Sequence, residues 1–273
     1  MFRLVHLIRR RPGLSSAAFR EAWLSAHGPL VAAHAVSLGI RRYVQTHVLH
    51  EDPFGKLLQS TYGTATELYD GLSEFWFEDR ELLATRLRSP AGRQAMAALL
   101  EDERRFIDHA RSPLWFAIEI PQLGPSGHTV ARETSSIVKW IAPLSKPVHL
   151  TSAQARTHWL INHGPLVREQ ASVVPMLRYA QLHRFDDPLS EELNAARGGA
   201  SSACYGHAEL WFDRQALNAA SGPEVDHAFG LFVEDCKLFI DLPQSHFMVG
   251  KEHVLVDEPL VVRPLPRPGL ELC

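Results

Sequence analysis

The chain has 273 residues, of which 45% are hydrophobic and 22% are charged, and its formal net charge at pH 7 is -3. This balance is typical of a folded globular protein and gives no reason to expect nucleic acid or an anionic membrane as a partner. Short apolar runs, the lack of a signal-peptide pattern and three scattered cysteines without a CxxC pair predict a cytoplasmic protein without a membrane span, a disulfide framework or a thiolate zinc site.

The first predicted elements are a strand at about 2–9 and a helix that Ser15 can cap. The apolar face of this helix carries four residues at helical spacing: Phe19, Trp23, His27 and Leu30. Pro29 has no N–H to donate to the carbonyl of Ser25, and its ring disfavours helical geometry in the residue before it. We therefore expect the helix to kink or end close to His27.

Two further strands are predicted at 42–49 and 72–77, from their alternation of apolar and polar residues. In the first of them, three hydrogen-bonding side chains share one face: Tyr43, Gln45 and His47. In the second, Glu74 and Trp76 share a face. The stretch 50–68 between the strands is a loop or an additional helical piece, and its sequence favours neither.

A second helical region is predicted at 79–106, with an interruption near Ser89 and Pro90, and a fourth strand follows at 112–120. The resulting order of elements is strand, helix, strand, strand, helix, strand. This βαββαβ order is the plan of ferredoxin-like folds. A stretch rich in Pro and Gly then predicts a linker, which we place at 121–134.

The pattern occurs twice in the chain. Of the 28 positions from Arg20 to His47, 13 carry the same residue 136 positions later, without a gap. The repeated residues include Trp159, His163, Tyr179, Gln181 and His183. A copy of this length exceeds the usual period of a solenoid repeat, so we interpret it as a duplicated domain.

Later parts of the two copies match each other at shifts slightly smaller than 136. Glu209 and Trp211 match the third strand at a shift of 135, and Glu234-Asp235 match Glu101-Asp102 at a shift of 133. The shift falls where connections lie, because loops absorb deletions. In the second copy, Thr151 predicts a capping box with the Gln three residues later.

The duplication divides the chain into a first domain at 1–120, a linker at 121–134, a second domain at 135–256 and a Pro-rich C-terminal tail at 257–273. A single four-stranded sheet this apolar cannot leave a face in water. We therefore expect the two domains to stack their sheets into one closed barrel with the helices outside, as an internal pseudo-dimer.

Four motifs together resemble those of the EthD family: Phe19…Trp23…His27-Gly28-Pro29-Leu30, Tyr43-x-Gln45-x-His47, Glu74-x-Trp76-Phe77 and Phe106-Ile107-Asp108. The resemblance covers both halves, roughly 1–120 and 135–250. It implies an α+β fold in which two ferredoxin-like βαββαβ repeats form an intramolecular dimeric α/β barrel. Related proteins include accessory proteins of ether degradation, polyketide cyclases, and decarboxylases or dehydratases of aromatic polyketides. They commonly use acid–base groups in an apolar pocket, without a metal or an organic cofactor.

The candidate catalytic residues are four histidines, whose imidazoles can exchange protons near neutral pH: His27, His47, His163 and His183. The candidate substrate-binding residues are Tyr43, Gln45, Glu74, Trp76, Tyr179, Gln181, Glu209 and Trp211. Each of these sets of residues also has a possible structural role instead of a catalytic or binding one. His27 can bond the carbonyl of Ser25, the Tyr-Gln-His row can form an internal network, and the two glutamates can pair with Arg42 or Arg178.

Strand phase decides whether the Tyr43-Gln45-His47 face meets His27 or points into the barrel, and the sequence leaves this open. A metal site built from His27, His47 and Glu74 lacks the local ligand spacing of known sites, so we expect no metal.

The function that we expect is a cofactor-independent lyase or cyclase that acts on a small aromatic or polyketide-like carbonyl compound by histidine acid–base chemistry. Dehydration, decarboxylation and cyclisation all fit. The alternatives are a non-catalytic accessory protein that binds a small molecule and, with less support, a haem- or quinol-type barrel oxygenase. Since both copies keep the residue set, two active pockets are the simplest expectation, and a homodimer of tandem chains is possible.

Overall fold

The computed structural model describes residues 1–64, 67–124, 129–199 and 202–258. In these ranges, strands from both halves close into one antiparallel barrel with the order β1-β3-β2-β8-β5-β7-β6-β4. The strands are β1 (Phe2–Ile8), β2 (Arg42–Val48), β3 (Gly71–Phe77), β4 (Leu114–Leu123), β5 (Ile137–Ser145), β6 (Met176–Phe185), β7 (Cys204–Asp213) and β8 (Met248–Asp257).

Each half contributes four consecutive strands in the same order. The first half reads β4-β1-β3-β2 around the barrel, and the second half reads β8-β5-β7-β6. The halves join at two seams, where β2 pairs with β8 and β4 pairs with β6. This arrangement confirms the prediction of two ferredoxin-like repeats that form an intramolecular dimeric α/β barrel.

The helices pack on the outside of the barrel. They are α1 (Ser16–Arg20), α2 (Gly28–Leu38), α3 (Pro53–Tyr62), α4 (Arg80–Arg88), α5 (Pro90–Glu103), α6 (Ser152–His158), α7 (Gly164–Glu169), α8 (Pro188–Ala196), α9 (Arg214–Ala219) and α10 (Pro223–Cys236). Ser15 caps α1, Ser89 separates α4 from α5, and Thr151 forms the capping box of α6, all as predicted. Within the described ranges, every helix is too short or too polar to cross a bilayer.

Of the two outcomes expected near His27, a kink or an end of the helix, the helix end is wrong. A π-helical segment, Glu21–His27, joins α1 directly to α2, and the Gly28 N–H bonds the Trp23 carbonyl five residues back. Pro29 therefore lies where the π-helical segment passes into α2, within one continuous helix. The second half repeats this device with the π-helical segment Trp159–His163.

The halves exchange helices across the barrel. The stretch 50–68, which the sequence left open, contains α3, and its Leu58 and Tyr62 are buried in the helix-side core of the second half. Conversely, Leu189 and Leu193 of α8 are buried in the helix-side core of the first half. Each outer core therefore depends on a helix of the other half.

The stretch predicted as a linker is partly structured. β4 continues across Pro121 to Leu123, with a register shift at this point that accommodates the proline. Ala131 is fully buried, and its N–H donates to Glu252 of β8 at 2.7 Å. Residues 125–128 of the linker and 259–273 of the predicted tail lie outside the described residues.

Candidate functional site

The Tyr43-Gln45-His47 face of β2 points to the helices, which answers the question of strand phase. The Gln45 side-chain amide donates to the Trp23 carbonyl at 2.8 Å. The ring of His47 stacks on Trp23, with 4.3 Å between centroids. The row therefore holds the π-helical segment against the sheet.

The second half builds the same contacts. Gln181 donates to the Trp159 carbonyl at 2.9 Å, and His183 stacks on Trp159 with 4.6 Å between centroids. In both halves the Gln amide thus binds the carbonyl that already accepts the five-residue hydrogen bond of the π turn. Such segments occur frequently at functional sites.

His27 and His163, the last residues of the two π-helical segments, each bond an aspartate. His27 Nδ1 lies 2.9 Å from Asp102 Oδ2, and His163 Nδ1 lies 2.8 Å from Asp235 Oδ2. The carbonyl of Ser25 is not the partner of His27. An ionised carboxylate accepts the Nδ1–H of a neutral imidazole, which leaves Nε2 as the lone-pair atom. In the described part of the chain, no hydrogen-bond partner occupies Nε2 of either ring.

Both aspartates are held in their ionised form. The His27 hydrogen bond lowers the pKa of Asp102. Burial alone would raise the pKa of Asp235, but hydrogen bonds from His163 and His158 outweigh it and the net shift is downward. Sequence reasoning assigned these aspartates no role, although their match at a shift of 133 was the signal that pointed to them.

Tyr179 is a phenol whose oxygen already accepts two hydrogen bonds, from Trp159 Nε1 at 2.9 Å and from Gln181 Nε2 at 3.0 Å. Its own O–H proton therefore remains available to a ligand. Burial raises the pKa of Tyr179, and the two hydrogen bonds only partly oppose this. The side chain is consequently a neutral hydrogen-bond donor.

A small cavity of about 30 Å³ lies between the second half's sheet and its helices. Its polar lining comes from His163, Tyr179, Cys236 and Tyr62 of the first half, and aromatic and aliphatic side chains complete the wall. A space of this size holds about two water molecules. The structure thus brings His163 and Tyr179 to one void, together with a phenol from the other half.

A larger groove of about 1100 Å³ lies next to this cavity, between α3 and the α9–α10 region. Its apolar lining includes Phe54, Leu57, Leu217, Val225 and Phe229. Helices α3 and α10 contribute to the lining of both spaces: Thr61 and Phe229 line the groove, and Tyr62 and Phe232 line the cavity.

The first half differs from the second at two corresponding positions. Arg197 lies 135 residues after Tyr62, and Glu103 lies 133 residues before Cys236. Arg197 and Glu103 form a bidentate pair, with Nε to Oε2 at 2.8 Å and Nη2 to Oε1 at 2.9 Å. Burial would raise the pKa of Glu103, but Arg197 and neighbouring histidines lower it to about 2. An ion pair thus fills the place where the second half has a phenol and a thiol.

His47 and His183 each form a hydrogen bond with a Gln side chain of their own strand. Each donates its Nε2–H to a Gln side-chain oxygen, at 3.0 Å for His47 and 2.9 Å for His183. Burial lowers the pKa of His47 to about 2 and that of His183 to about 4, so both rings are neutral near pH 7. A catalytic role for these two residues stays a prediction.

The glutamates and tryptophans of the third strands face the barrel interior, across the sheet from the histidines. Arg3 donates to Glu74 at 2.5 Å and to Glu209 at 2.8 Å, and Lys139 lies 2.6 and 2.7 Å from the same two carboxylates. Trp76 stacks with Arg3 at 4.3 Å.

The predicted pairing of the glutamates with Arg42 or Arg178 is wrong, since Arg42 pairs with Asp257 and Arg178 pairs with Glu119. Trp211 lies beneath Arg178 at 4.1 Å.

The pKa values of the two interior carboxylates are shifted in opposite directions. Burial and the charge of Glu209 raise the pKa of Glu74 to about 7. Burial would also raise that of Glu209, but Lys139 and Arg3 hold it well below its usual value. Among the described residues, Glu74, His207 and Glu209 could place ligand atoms around a metal ion. Because Arg3 and Lys139 already neutralise these carboxylates, a metal would have to displace them.

Both halves of the chain match one protein family. The EthD domain family matches residues 11–110 and 148–243, one segment in each half. A relative from Metarhizium robertsii, the conidial pigment biosynthesis dehydratase EthD, is 30% identical over 115 residues, which cover 38% of this chain and 72% of the relative.

Two solved structures align over most of the chain. A candidate monooxygenase from Fusobacterium nucleatum is 7% identical, with a TM-score of 0.48 and coverage of 95% of both chains. A candidate monooxygenase from Lactobacillus acidophilus is also 7% identical, with a TM-score of 0.44 and coverage of 94% of this chain and 96% of its own. The family match spans both halves and more than half of the residues, and the chain therefore belongs to the EthD domain family.

Proposed function

We propose that this protein is a dehydratase-type lyase whose working site is the cavity of the second half. The observation that carries the proposal is that one cavity is lined by an imidazole fixed on Asp235 and by the donor phenol of Tyr179. The relative from Metarhizium robertsii, a pigment biosynthesis dehydratase, supports dehydration among the possible lyase reactions. The substrate class is a cyclic β-hydroxy ketone that is one loss of water away from an aromatic ring.

The reaction needs one base and one oxyanion donor. His163 Nε2 takes a proton from the carbon next to the carbonyl, and the electron pair moves onto the carbonyl oxygen. Tyr179 donates its O–H to this enolate, which is the kind of interaction that contributes about 3–4 kcal/mol to a transition state. The imidazolium then gives its proton to the departing hydroxyl group, so that water leaves and a carbon–carbon double bond forms.

Three further side chains position His163 and Tyr179. Asp235 holds Nδ1–H of His163, which keeps Nε2 free of a proton and stabilises the imidazolium after proton transfer. Gln181 bonds both the Tyr179 oxygen and the Trp159 carbonyl, and so ties the donor to the π-helical segment. His183 bonds the oxygen of Gln181, which sets the orientation of that amide.

The first half is proposed to have a structural role. It keeps the His27–Asp102 pair, but the Arg197–Glu103 ion pair fills the space that corresponds to the second half's cavity wall. Burying two charges is expensive, and opening the pair to admit a ligand would leave both charges unpaired. One working site per chain therefore replaces the two that the sequence suggests.

A direct test uses 3-hydroxy-1-tetralone, which loses water to give 1-naphthol. The purified protein is expected to accelerate formation of 1-naphthol, measured by its fluorescence, and His163→Gln is expected to abolish the acceleration. Binding of 1-naphthol without any turnover would instead support the alternative of an accessory binding protein. Turnover that survives His163→Gln would overturn the proposed mechanism.

A further inference from the structure

The cavity beside His163 is too small to hold a whole aromatic ring. An aromatic ring needs a cavity of about 150 Å³, and the space beside His163 is about 30 Å³. Only the reacting edge of a ring can therefore enter it. The groove of about 1100 Å³ next to the cavity has ample room for a ring system, and ligand pockets typically measure about 300–1,000 Å³.

Tyr62 lines the cavity, and its chain neighbour Thr61 lines the groove. It is the last residue of α3, 4% of its surface is exposed, and its ring stacks on Phe247 with 4.4 Å between centroids. In the described part of the chain its hydroxyl has no hydrogen-bond partner. A hydroxyl that makes no hydrogen bond within the protein can donate to a ligand, and Tyr62 lines the same cavity as Tyr179.

We propose that the groove between α3 and α10 opens into the cavity and holds the apolar ring system of the substrate, while Tyr62 donates a second hydrogen bond to the oxygen that Tyr179 binds. This inference rests on the proposed function. It makes the working site a product of both halves, because α3 belongs to the first half and His163 to the second. The ligand class is a planar, largely apolar ring with one oxygen at its edge.

The lining of the groove fits this class. Phe54 of α3 and Phe229 of α10 provide aromatic faces from opposite walls, and Leu57, Leu58, Val225 and Val233 add aliphatic contacts. Leu57 keeps 60% of its surface exposed, so a ligand in the groove would remove apolar surface from water. Burial of apolar surface would supply the affinity, and the two phenols would supply the orientation.

The test measures binding rather than turnover, by equilibrium dialysis with two probes that differ by one hydroxyl group: 1-naphthol and naphthalene. Tyr62→Phe keeps the ring that stacks on Phe247 and removes only the hydroxyl. It is expected to weaken 1-naphthol binding about tenfold, the upper range for one neutral hydrogen bond, and to leave naphthalene binding unchanged. Phe229→Ser is expected to weaken both probes. Ser60→Ala, on the exposed side of α3, is the matched control and should change neither.

The outcomes separate this inference from the proposed reaction. The inference is overturned if neither probe binds the natural protein, if Tyr62→Phe changes both affinities equally or neither, or if Phe229→Ser leaves both unchanged. A general structural loss in Tyr62→Phe would weaken both probes, so the hydroxyl-specific difference is the decisive reading. A protein that binds both probes as expected but does not dehydrate 3-hydroxy-1-tetralone would refute the proposed reaction and leave the binding site standing.

Discussion

Arg197 of the second half and Glu103 of the first form a two-point ion pair that is almost completely buried, with side-chain exposures of 6% and 4%. At the corresponding positions of the other half, Tyr62 and Cys236 line an open cavity. Two copies of one domain have thus kept the same histidine–aspartate pair and diverged in the residues beside it.

The two histidines of the repeat are expected to differ in importance. His163→Gln should lower kcat/KM by about 10²–10⁴-fold, the usual loss when an acid–base group is removed. His27→Gln, the same change in the first half, should have little effect on activity, because its surroundings are closed by Arg197 and Glu103. Steady-state rates with 3-hydroxy-1-tetralone measure both variants, and equal losses would refute a single working half.

Asp235→Asn tests the control of the imidazole tautomer. An amide N–H donating to Nδ1 of His163 would move the ring proton to Nε2 and remove the base, so we expect a loss in kcat of about 10²-fold or more. Asp102→Asn is the matched control in the first half and should keep most of the activity. Thermal melting of both variants checks the fold. Full activity in Asp235→Asn would argue against a role for the pair.

Tyr179→Phe removes the proposed oxyanion donor and keeps the ring. We expect kcat to fall by about 10²–10³-fold with a much smaller change in KM, because the hydrogen bond strengthens as the enolate forms. Tyr43→Phe makes the identical change in the first half and should be nearly silent in the assay. A rise in KM with unchanged kcat would contradict the assignment and show that the phenol serves only in binding.

The charges inside the barrel should respond unequally to substitution. Arg3→Met leaves Glu74 and Glu209 without one of their cations and should lower the free energy of unfolding by about 3–5 kcal/mol. Glu74→Gln should cost less than about 1 kcal/mol near pH 7, because the pKa of Glu74 is raised to about 7 and the amide resembles its protonated form. Urea denaturation compares the two variants, and similar costs would be inconsistent with the raised pKa of Glu74.

His6 makes stability depend on pH. Burial lowers its pKa to about 3, so the folded protein keeps this ring neutral while the unfolded chain protonates it near 6.5. The contribution of His6 is therefore fully present above about pH 6.5 and is lost as pH falls toward 3, at about 1.4 kcal/mol per pH unit. His6→Gln can still donate to the Ser112 carbonyl. Its unfolding free energy, measured between pH 6 and 4, should fall less steeply than that of the natural protein; parallel slopes would contradict the assignment.

Local patterns were sufficient to predict much of the architecture. Alternation along β2 and β3, the Ser15 and Thr151 caps and the break at Ser89 were all visible in short windows, because these features depend on neighbouring residues. The duplication was equally visible, since a match at constant shift needs no structure. The EthD motifs and the exposed sheet faces then implied a closed barrel.

The helix boundary at His27 could not be predicted, because a π turn depends on a carbonyl that Gln45 binds from the sheet. The partners of Glu74 were missed for a similar reason: Arg3 and Lys139 come from strands that meet it only when the barrel closes. Short-range patterns carry no information about such contacts.

By itself, the sequence determined that two similar domains exist, which strands and helices build them, and that each carries a histidine on a helix and a Tyr-Gln-His row on a strand. Only the tertiary structure decided that this row faces the helices, that Asp102 and Asp235 bond the histidines, and that α3 and α8 change sides. The physical reason is that these contacts join residues far apart in the chain, and their geometry depends on how the sheets close and which side chains fill the remaining space.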